Sequence, residues 1–272
     1  MQNIGDWDHY RRCVSAVPRL TPAYTTNLYM SRDQVERWSA ADRLRAITSN
    51  NALLVLLKDR DFKHIYHVAQ DQLALSAILV KLPRGVYTTD LIGKGTGLAQ
   101  LCLTYAHAGW VRHRFLRRMV LTQSARVQVR PISSAAPPEV AQLEHVHLIA
   151  AFLERLLDRH AEQLPDLIEL KQAAKAGRLL CASRNRKITG MLMYDVKGQT
   201  AHLRFWHVDE DERDQGIGRQ LMAAFLRQCE GMQRLVLWVI GDNERSIAIY
   251  RHYGFVEDGL LDQIMILRNE SV

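Results

Sequence analysis

No two cysteines stand close enough to make a chelating or redox pair. The four thiols, Cys13, Cys102, Cys181 and Cys229, are scattered and include no CxxC spacing. That argues against a zinc ribbon, a thioredoxin-like centre or a disulfide framework, and it fits buried free thiols in a reducing compartment. No apolar run nears the roughly 20 residues needed to cross a bilayer. The opening MQNIGDWDHYRRCV has acids and tryptophan where a secretory leader has a basic start and an apolar stretch. A cytoplasmic protein without a membrane partner is the expectation. Short repeats and low-complexity tracts are also lacking. With 47% apolar and 24% charged residues, nothing in the composition points to disorder.

What is present is unevenly spread. Residues 1–138 carry 19 Lys+Arg against 9 Asp+Glu, and the remainder 17 against 20, giving the net +7. A basic first half and a mildly acidic second half argue for two units with different surfaces. Three prolines and two serines fall in PISSAAPPEV, 131–140, which lacks any regular period and reads as a linker. The expected division is an α+β domain at 1–130, the linker, and a second domain at 141–272.

After the linker, VAQLEHVHLIAAFLERLLDRHAEQL and PDLIELKQAAKAGR have helical spacing, the second stopping at Gly177. LLCASRNRKITGMLMYDVKGQTAHLRFWHVD reads as three strands joined by turns. A helix to Gly231, the apolar strand RLVLWVIG, a helix N-capped by Asn243 and a closing strand LLDQIMIL follow. In the first half, SRDQVERWSAADRLRAI reads as helical and ALLVLLKDRDFKHIYHVAQ as a hairpin. LSAILVKL and GVYTTDLIG read as strands, followed by a helix over about 98–109 and a basic strand WVRHRFLRRMVLTQ. The class is α/β, mixed α+β.

The stretch DERDQGIGRQLM, 211–222, sits between a strand ending near Val208 and a helix beginning near Ile217. Free N–H groups and the positive end of a helix dipole make such a junction an anion site. Glycines at 216 and 218 let a diphosphate approach the backbone. A structural turn that needs glycine explains the same residues equally well when they are taken alone. DLIGKGTGLAQL, 90–101, also puts glycines between a strand and a helix, and it reads as a worn copy of the loop with Ile92 in place of the arginine.

Arg213-x-x-Gly216-x-Gly218 behind a strand, followed by Asn243, Tyr250, Gly254 and Phe255 in NERSIAIYRHYGF, resembles the GNAT acyltransferase superfamily. The order of elements over 140–272 resembles its fold as well. The resemblance implies acetyl-CoA, or another acyl-CoA, as donor. Main-chain N–H groups of Asp214, Gln215, Gly216, Ile217, Gly218 and Arg219 would hold the pyrophosphate beside Arg213, with Asn243 at the cofactor. The strand end at His207 and Val208 would hold the pantetheine chain. Tyr250 would be the acid toward the departing sulfur, against the plain reading of a packing ring.

The strand AHLRFWHVD has no glutamate to serve as base. His202 stands about where one would be, with a half-buried strand histidine as the competing reading; His207, Glu210 and a water chain remain open. No metal is expected: His145 and His147 lack the i, i+4 spacing of helical ligand pairs. The first half reads as a degenerate GNAT-like domain without turnover, since no Asn…Tyr…Gly-Phe helix follows its loop; an unrelated α+β domain is the alternative. The expected activity is N-acetyl transfer to an amine acceptor, a small molecule in preference to a protein. The rival is a non-catalytic acyl-CoA sensor or scaffold. VRHRFLRR, 111–118, leaves room for a nucleic-acid or polyanion partner, and homo-oligomerisation is open.

Overall fold

The computed structural model describes residues 1–19, 22–125 and 137–269. The chain forms two compact units: residues 1–116 with 260–272, and residues 117–259. This partition differs from a cut at 131–140, because the boundaries fall inside two strands. Of the expected linker, 131–136 lie outside the described residues, and Glu139–Val140 form a short strand. Among the described residues no helix is long and apolar enough to cross a membrane.

Unit 1 contains β1 (Gln2–Asn3), α1 (Trp7–Ser15), β2 (Thr25–Thr26), α2 (Arg32–Ala40), β3 (Leu44–Thr48), β4 (Ala52–Asp59), β5 (Phe62–Ala69), α3 (Gln72–Leu79), β6 (Gly85–Gly93) and α4 (Gly95–His107). β7 (Val111–Thr122) then leads into unit 2. Unit 2 continues with β8 (Glu139–Val140), α5 (His145–Leu156), α6 (Leu167–Lys175), β9 (Leu179–Arg184), β10 (Lys187–Lys197), β11 (Thr200–Val208), α7 (Ile217–Gln228), β12 (Arg234–Ile240) and α8 (Glu244–His252). β13 (Val256–Asn269) returns to unit 1, where Leu261–Asn269 lie antiparallel to β6.

In unit 2 the strand order is β7-β12-β11-β10-β9-β8. Alternation along the strands builds two cores. Leu192, Tyr194, Ala201, Leu203 and Leu237 pack with Leu221, Phe225 and Ile247 from α7 and α8. Met191, Met193, Leu179 and Cys181 pack with Val146, Phe152 and Leu170 from α5 and α6. β11 changes sides partway. Met193 faces Phe205 and Tyr194 faces Leu203, so Arg204 is an extra residue, a bulge that moves Phe205 to the α5/α6 side. β11 and β12 pair in parallel only from Thr200/Arg234 to Leu203/Leu237. Beyond that point the two strands separate.

Unit 1 repeats the plan. Its order is β1-β3-β4-β5-β6-β13, with α1 and α2 packed on one core and α3 and α4 on the other. β5 and β6 pair in parallel only at Lys63/Tyr87 and His64/Thr88. Here the gap is filled from within. β2 pairs with the far end of β5, and the Asn27 side chain donates to Thr89 Oγ1 (3.0 Å) and to the Asp90 carbonyl (2.9 Å) on β6. Its Oδ1 accepts from the His67 amide on β5 at 2.6 Å. His67, fully buried, meets Thr25 at 3.2 Å and the Tyr105 hydroxyl at 2.9 Å. Burial holds its imidazole down to about 3.

Two expectations for unit 1 are corrected. LSAILVKL belongs largely to helix α3, started by Asp71, whose carboxylate accepts from the Ala74 amide at 2.8 Å. A run apolar through its length is compatible with strand or helix, and the cap decides. The GKGTG loop is not the counterpart of 211–219: it opens α4 behind β6, as Asp242–Asn243 precede α8 behind β12. The true counterpart is the β5–α3 joint, which has no glycine pair. In addition, Tyr105-Ala-His-Ala-Gly109-Trp110 repeats Tyr250-Arg-His-Tyr-Gly254-Phe255. The Trp110 and Phe255 amides each return to the tyrosine carbonyl at 3.1 Å, after glycines at φ 85° and 89°. The tyrosine helix expected to be missing from the first half is therefore present, ending in tryptophan instead of phenylalanine.

Candidate active site

The separated ends of β11 and β12 open a cleft of about 520 Å³ in unit 2, floored by Leu203, Arg204 and Trp206 on one strand and Trp238 and Val239 on the other. The start of α7 forms one wall. Gly216 is its N-cap, in a left-handed conformation (φ 80°) that favours glycine, and no side chain caps the helix. The first amides of α7 are thus open to an anion. At the equivalent joint of unit 1, the Asp71 carboxylate already occupies that position.

The loop before α7 is pinned from below. Asp209, 1% exposed, receives Arg155 Nη2 at 2.9 Å and Lys187 Nζ at 3.0 Å, and its amide donates to the Thr189 carbonyl at 2.8 Å. Hydrogen bonding to Lys187 is the main reason its carboxyl is held below the usual range. Arg184 reaches across to Glu212 (3.1 Å) and Gln215 (3.0 Å). On the cleft side, Trp206 donates to the Gly218 carbonyl at 3.1 Å and ties β11 to the first turn of α7.

That close approach needs a residue the sequence does not single out. A Cβ on Gly190 of β10 would lie 2.8 Å from Ile217 Cγ2, 3.1 Å from Leu221 Cδ1 and 3.3 Å from the His207 carbonyl. Gly190→Ala is therefore expected to push α7 outward and destabilise unit 2 by about 1–3 kcal/mol. A denaturant titration checks this, and an unchanged midpoint would mean that the first turn yields freely.

Tyr250 lines the cleft from α8, its ring 5.6 Å from Trp206 and 6.0 Å from Phe255. Burial, with the charge of Glu162 adding, pushes its phenol well above the ordinary range. Asn243 also lines the cleft, but its side-chain oxygen accepts from the Ser246 amide at 3.0 Å, so it serves α8 as N-cap. His207, Val208, Arg213, Asp214, Gly216, Ile217, Gly218 and Arg219 are brought to the same cleft, and Gln215 is not among its lining residues. Arg213 pairs with Glu210 at 3.0 Å.

His202 is placed elsewhere. It sits opposite Asp195 on the β10/β11 pair and does not line the cleft. Burial, reinforced by Arg204, lowers its imidazole to about 4. His207 is in the cleft but is likewise lowered to about 4, by burial and then by Arg213. Arg204, Glu162 and Trp238, which also line the cleft, are missed by sequence reasoning: they belong to a bulge, a loop and a neighbouring strand that only the fold brings together.

The lone Glu/His/Cys grouping among the described residues lies outside this cleft. Glu139, His145 and Cys181 place possible ligand atoms within 4.8 Å of one another. However, His145 Nδ1 already accepts from the Gln142 amide at 3.2 Å, and burial pushes the Cys181 thiol up to about 12.

Residues 144–255 match the Acetyltransferase (GNAT) family. No curated protein matches the chain. Among solved structures, a tandem GNAT protein from the clavulanic acid biosynthesis pathway aligns with TM-score 0.58 at 13% identity, over 93% of this chain and 86% of its own. A GCN5-related N-acetyltransferase from Sphaerobacter thermophilus aligns with TM-score 0.57 at 15% identity, over 89% and 87%. One from Kribbella flavida aligns with TM-score 0.56 at 12% identity, over 83% and 90%. At these identities the likeness is one of fold, and the fold is a two-domain, tandem GNAT arrangement.

Proposed function

We propose that the chain is an acyl-CoA-dependent N-acyltransferase, with acetyl-CoA as donor and a primary amine on a small molecule as acceptor, working from the cleft between β11 and β12 of unit 2. The observation that carries this reading is the meeting of three features in one cavity: the uncapped start of α7 at Gly216, the gap between β11 and β12, and Tyr250. The first suits a diphosphate, and the second exposes main-chain groups at His207 and Val208 to an extended chain. The third puts a proton-bearing hydroxyl where a thiolate departs.

In this reading both reactants are held together and the amine attacks directly. The start of α7 and three of the cleft's arginines, Arg213, Arg219 and Arg245, hold the donor's phosphates. A main-chain N–H at the open end of β11 stabilises the oxyanion. Tyr250, held above its usual range, keeps its proton at working pH and donates a hydrogen bond to sulfur. Complete transfer to a thiolate of ordinary pKa near ~8.5 runs against the order of the two acids, so its main effect is to stabilise the departing charge.

Thiol release from acetyl-CoA in the presence of a panel of primary amines tests the reading. Steady release of CoA with one amine supports it. Tight binding of acetyl-CoA with no release from any amine would favour the acyl-CoA sensor instead.

A further inference from the structure

We propose that Glu162, in the connection between α5 and α6, is the group that seats the acceptor's ammonium and takes its proton, so that the acceptor is a cationic alkylamine. This rests on the transferase reading above. β11 supplies no carboxylate to the cleft, and the imidazole it does supply, His207, is a weak base. Three lining residues are acids: Glu162, Glu212 and Asp214. Glu212 is engaged by Arg184 at 3.1 Å, and Asp214 is 91% exposed and 4.0 Å from Arg245; both belong to the loop before α7, on the donor side. Glu162 enters from a different element, and its charge acts on the Tyr250 phenol.

Its placement is built. The Glu162 amide donates to the Asp158 carbonyl at 2.8 Å, and Glu162 Oε2 accepts from the Asp158 amide at 3.1 Å. The next residue is anchored by the bulge itself: Arg204 Nη2 donates to the Gln163 carbonyl at 3.3 Å, while Nη1 holds Glu169 of α6 at 3.0 Å. The bulge residue at the start of the gap between β11 and β12 therefore also anchors the loop that brings Glu162 to the cleft lining. Arginines on the donor side and one carboxylate beside Tyr250 sort the two reactants by charge, anionic donor against cationic acceptor.

An alkylamine with a pKa near that of lysine, ~10.4, arrives as an ammonium ion, for which a carboxylate is a charge-assisted hydrogen-bond partner. Glu162 accepts a proton from nitrogen. The freed lone pair attacks the thioester carbon, the C–N bond forms, and the C–S bond breaks with its electron pair going to sulfur. Two protons leave the nitrogen in all. One ends on the CoA sulfur, and the other passes from Glu162 to solvent.

The test compares the full chain with Glu162→Gln, which keeps the side-chain oxygen that accepts from Asp158, using acetyl-CoA with butylamine, putrescine, glucosamine and aniline. The expected result is turnover of an alkylamine in preference to aniline, with kcat/KM falling about a hundredfold in the variant. The acid limb of the pH–rate profile should flatten in Glu162→Gln, with acetyl-CoA affinity and melting temperature unchanged. Equal turnover by both proteins overturns the role of Glu162 and leaves the transferase reading standing. If the full chain binds acetyl-CoA yet acetylates none of these amines, the transferase reading is what fails. Titration of putrescine into the chain saturated with CoA then decides the seat: binding lost in Glu162→Gln upholds it, and equal binding overturns it.

Discussion

Gly218→Glu is expected to weaken acetyl-CoA binding on the order of a hundredfold in a chain expected to bind one molecule. Gly218 is the second residue of α7, and a Cβ there would meet Trp206 Cζ2 and Val208 Cγ2 at 3.4 Å, at the edge of ordinary contact. Bulk alone is therefore a mild insult, and Gly218→Ala should keep the affinity within a few-fold. A carboxylate at the same place repels the diphosphate that the open amides are suited to hold. One such repulsion is worth about 3 kcal/mol at ~5 Å and an effective dielectric of ~20, on the order of a hundredfold in Kd. Calorimetric titration reads both affinity and stoichiometry. One site per chain is expected because the matching joint of unit 1 is capped by Asp71 and its gap is filled by Asn27. Two sites would mean that β2 can be displaced. Failure of the unaltered chain to bind would remove the basis for the transferase reading.

Tyr250→Phe is expected to lower turnover by about a hundredfold, in the range of losing one positioned hydrogen-bond donor to developing charge, and to leave acetyl-CoA affinity unchanged. The substitution keeps the ring that packs on Trp206 and Phe255 and deletes only the hydroxyl. Because the phenol titrates far above neutrality, it stays protonated across the working range. A loss of activity in mild alkali in the unaltered chain must then come from another group. Steady-state rates beside equilibrium binding separate the two roles of Tyr250. A variant with full turnover would make it a packing ring.

Much of unit 2 is legible in the sequence because its elements differ in period: two amphipathic helices, alternating strands, and helices stopped by glycine. The loop at 213–219 is legible for a local reason, since an anion site at a helix start needs only consecutive amides and small residues. The acceptor side is not local. Glu162, Arg204 and Trp238 lie on three elements, and their meeting depends on one inserted residue in β11 that no periodicity reveals. His202 takes the expected place along β11, but it stands before the bulge and outside the cleft.

Unit 1 is harder to read because its distinguishing residues are substitutions within a shared plan. The glycines of 93–97 attract attention, while the joint that matters, Gln70–Asp71, looks like any helix start. The signal that could have revealed the duplication is YAHAGW against YRHYGF, a tyrosine four residues before a glycine–aromatic pair. Tyr105 keeps the position of Tyr250 and spends its hydroxyl on His67.

The return of β13 to β6 bears on the order in which the molecule can be completed during synthesis. Gly93 waits for Leu261, and Gly85 for Asn269. As the chain leaves the ribosome, β6 has an unpaired edge throughout the time that all of unit 2 is being made, and exposed edges invite pairing with other chains. Unit 2 waits for the same strand, since the neighbour of β7 on the side away from β12 is β13, where Asp258 pairs with Arg118. Both sheets therefore stay incomplete until β13 has been made, and the last strand translated is the one on which each unit depends.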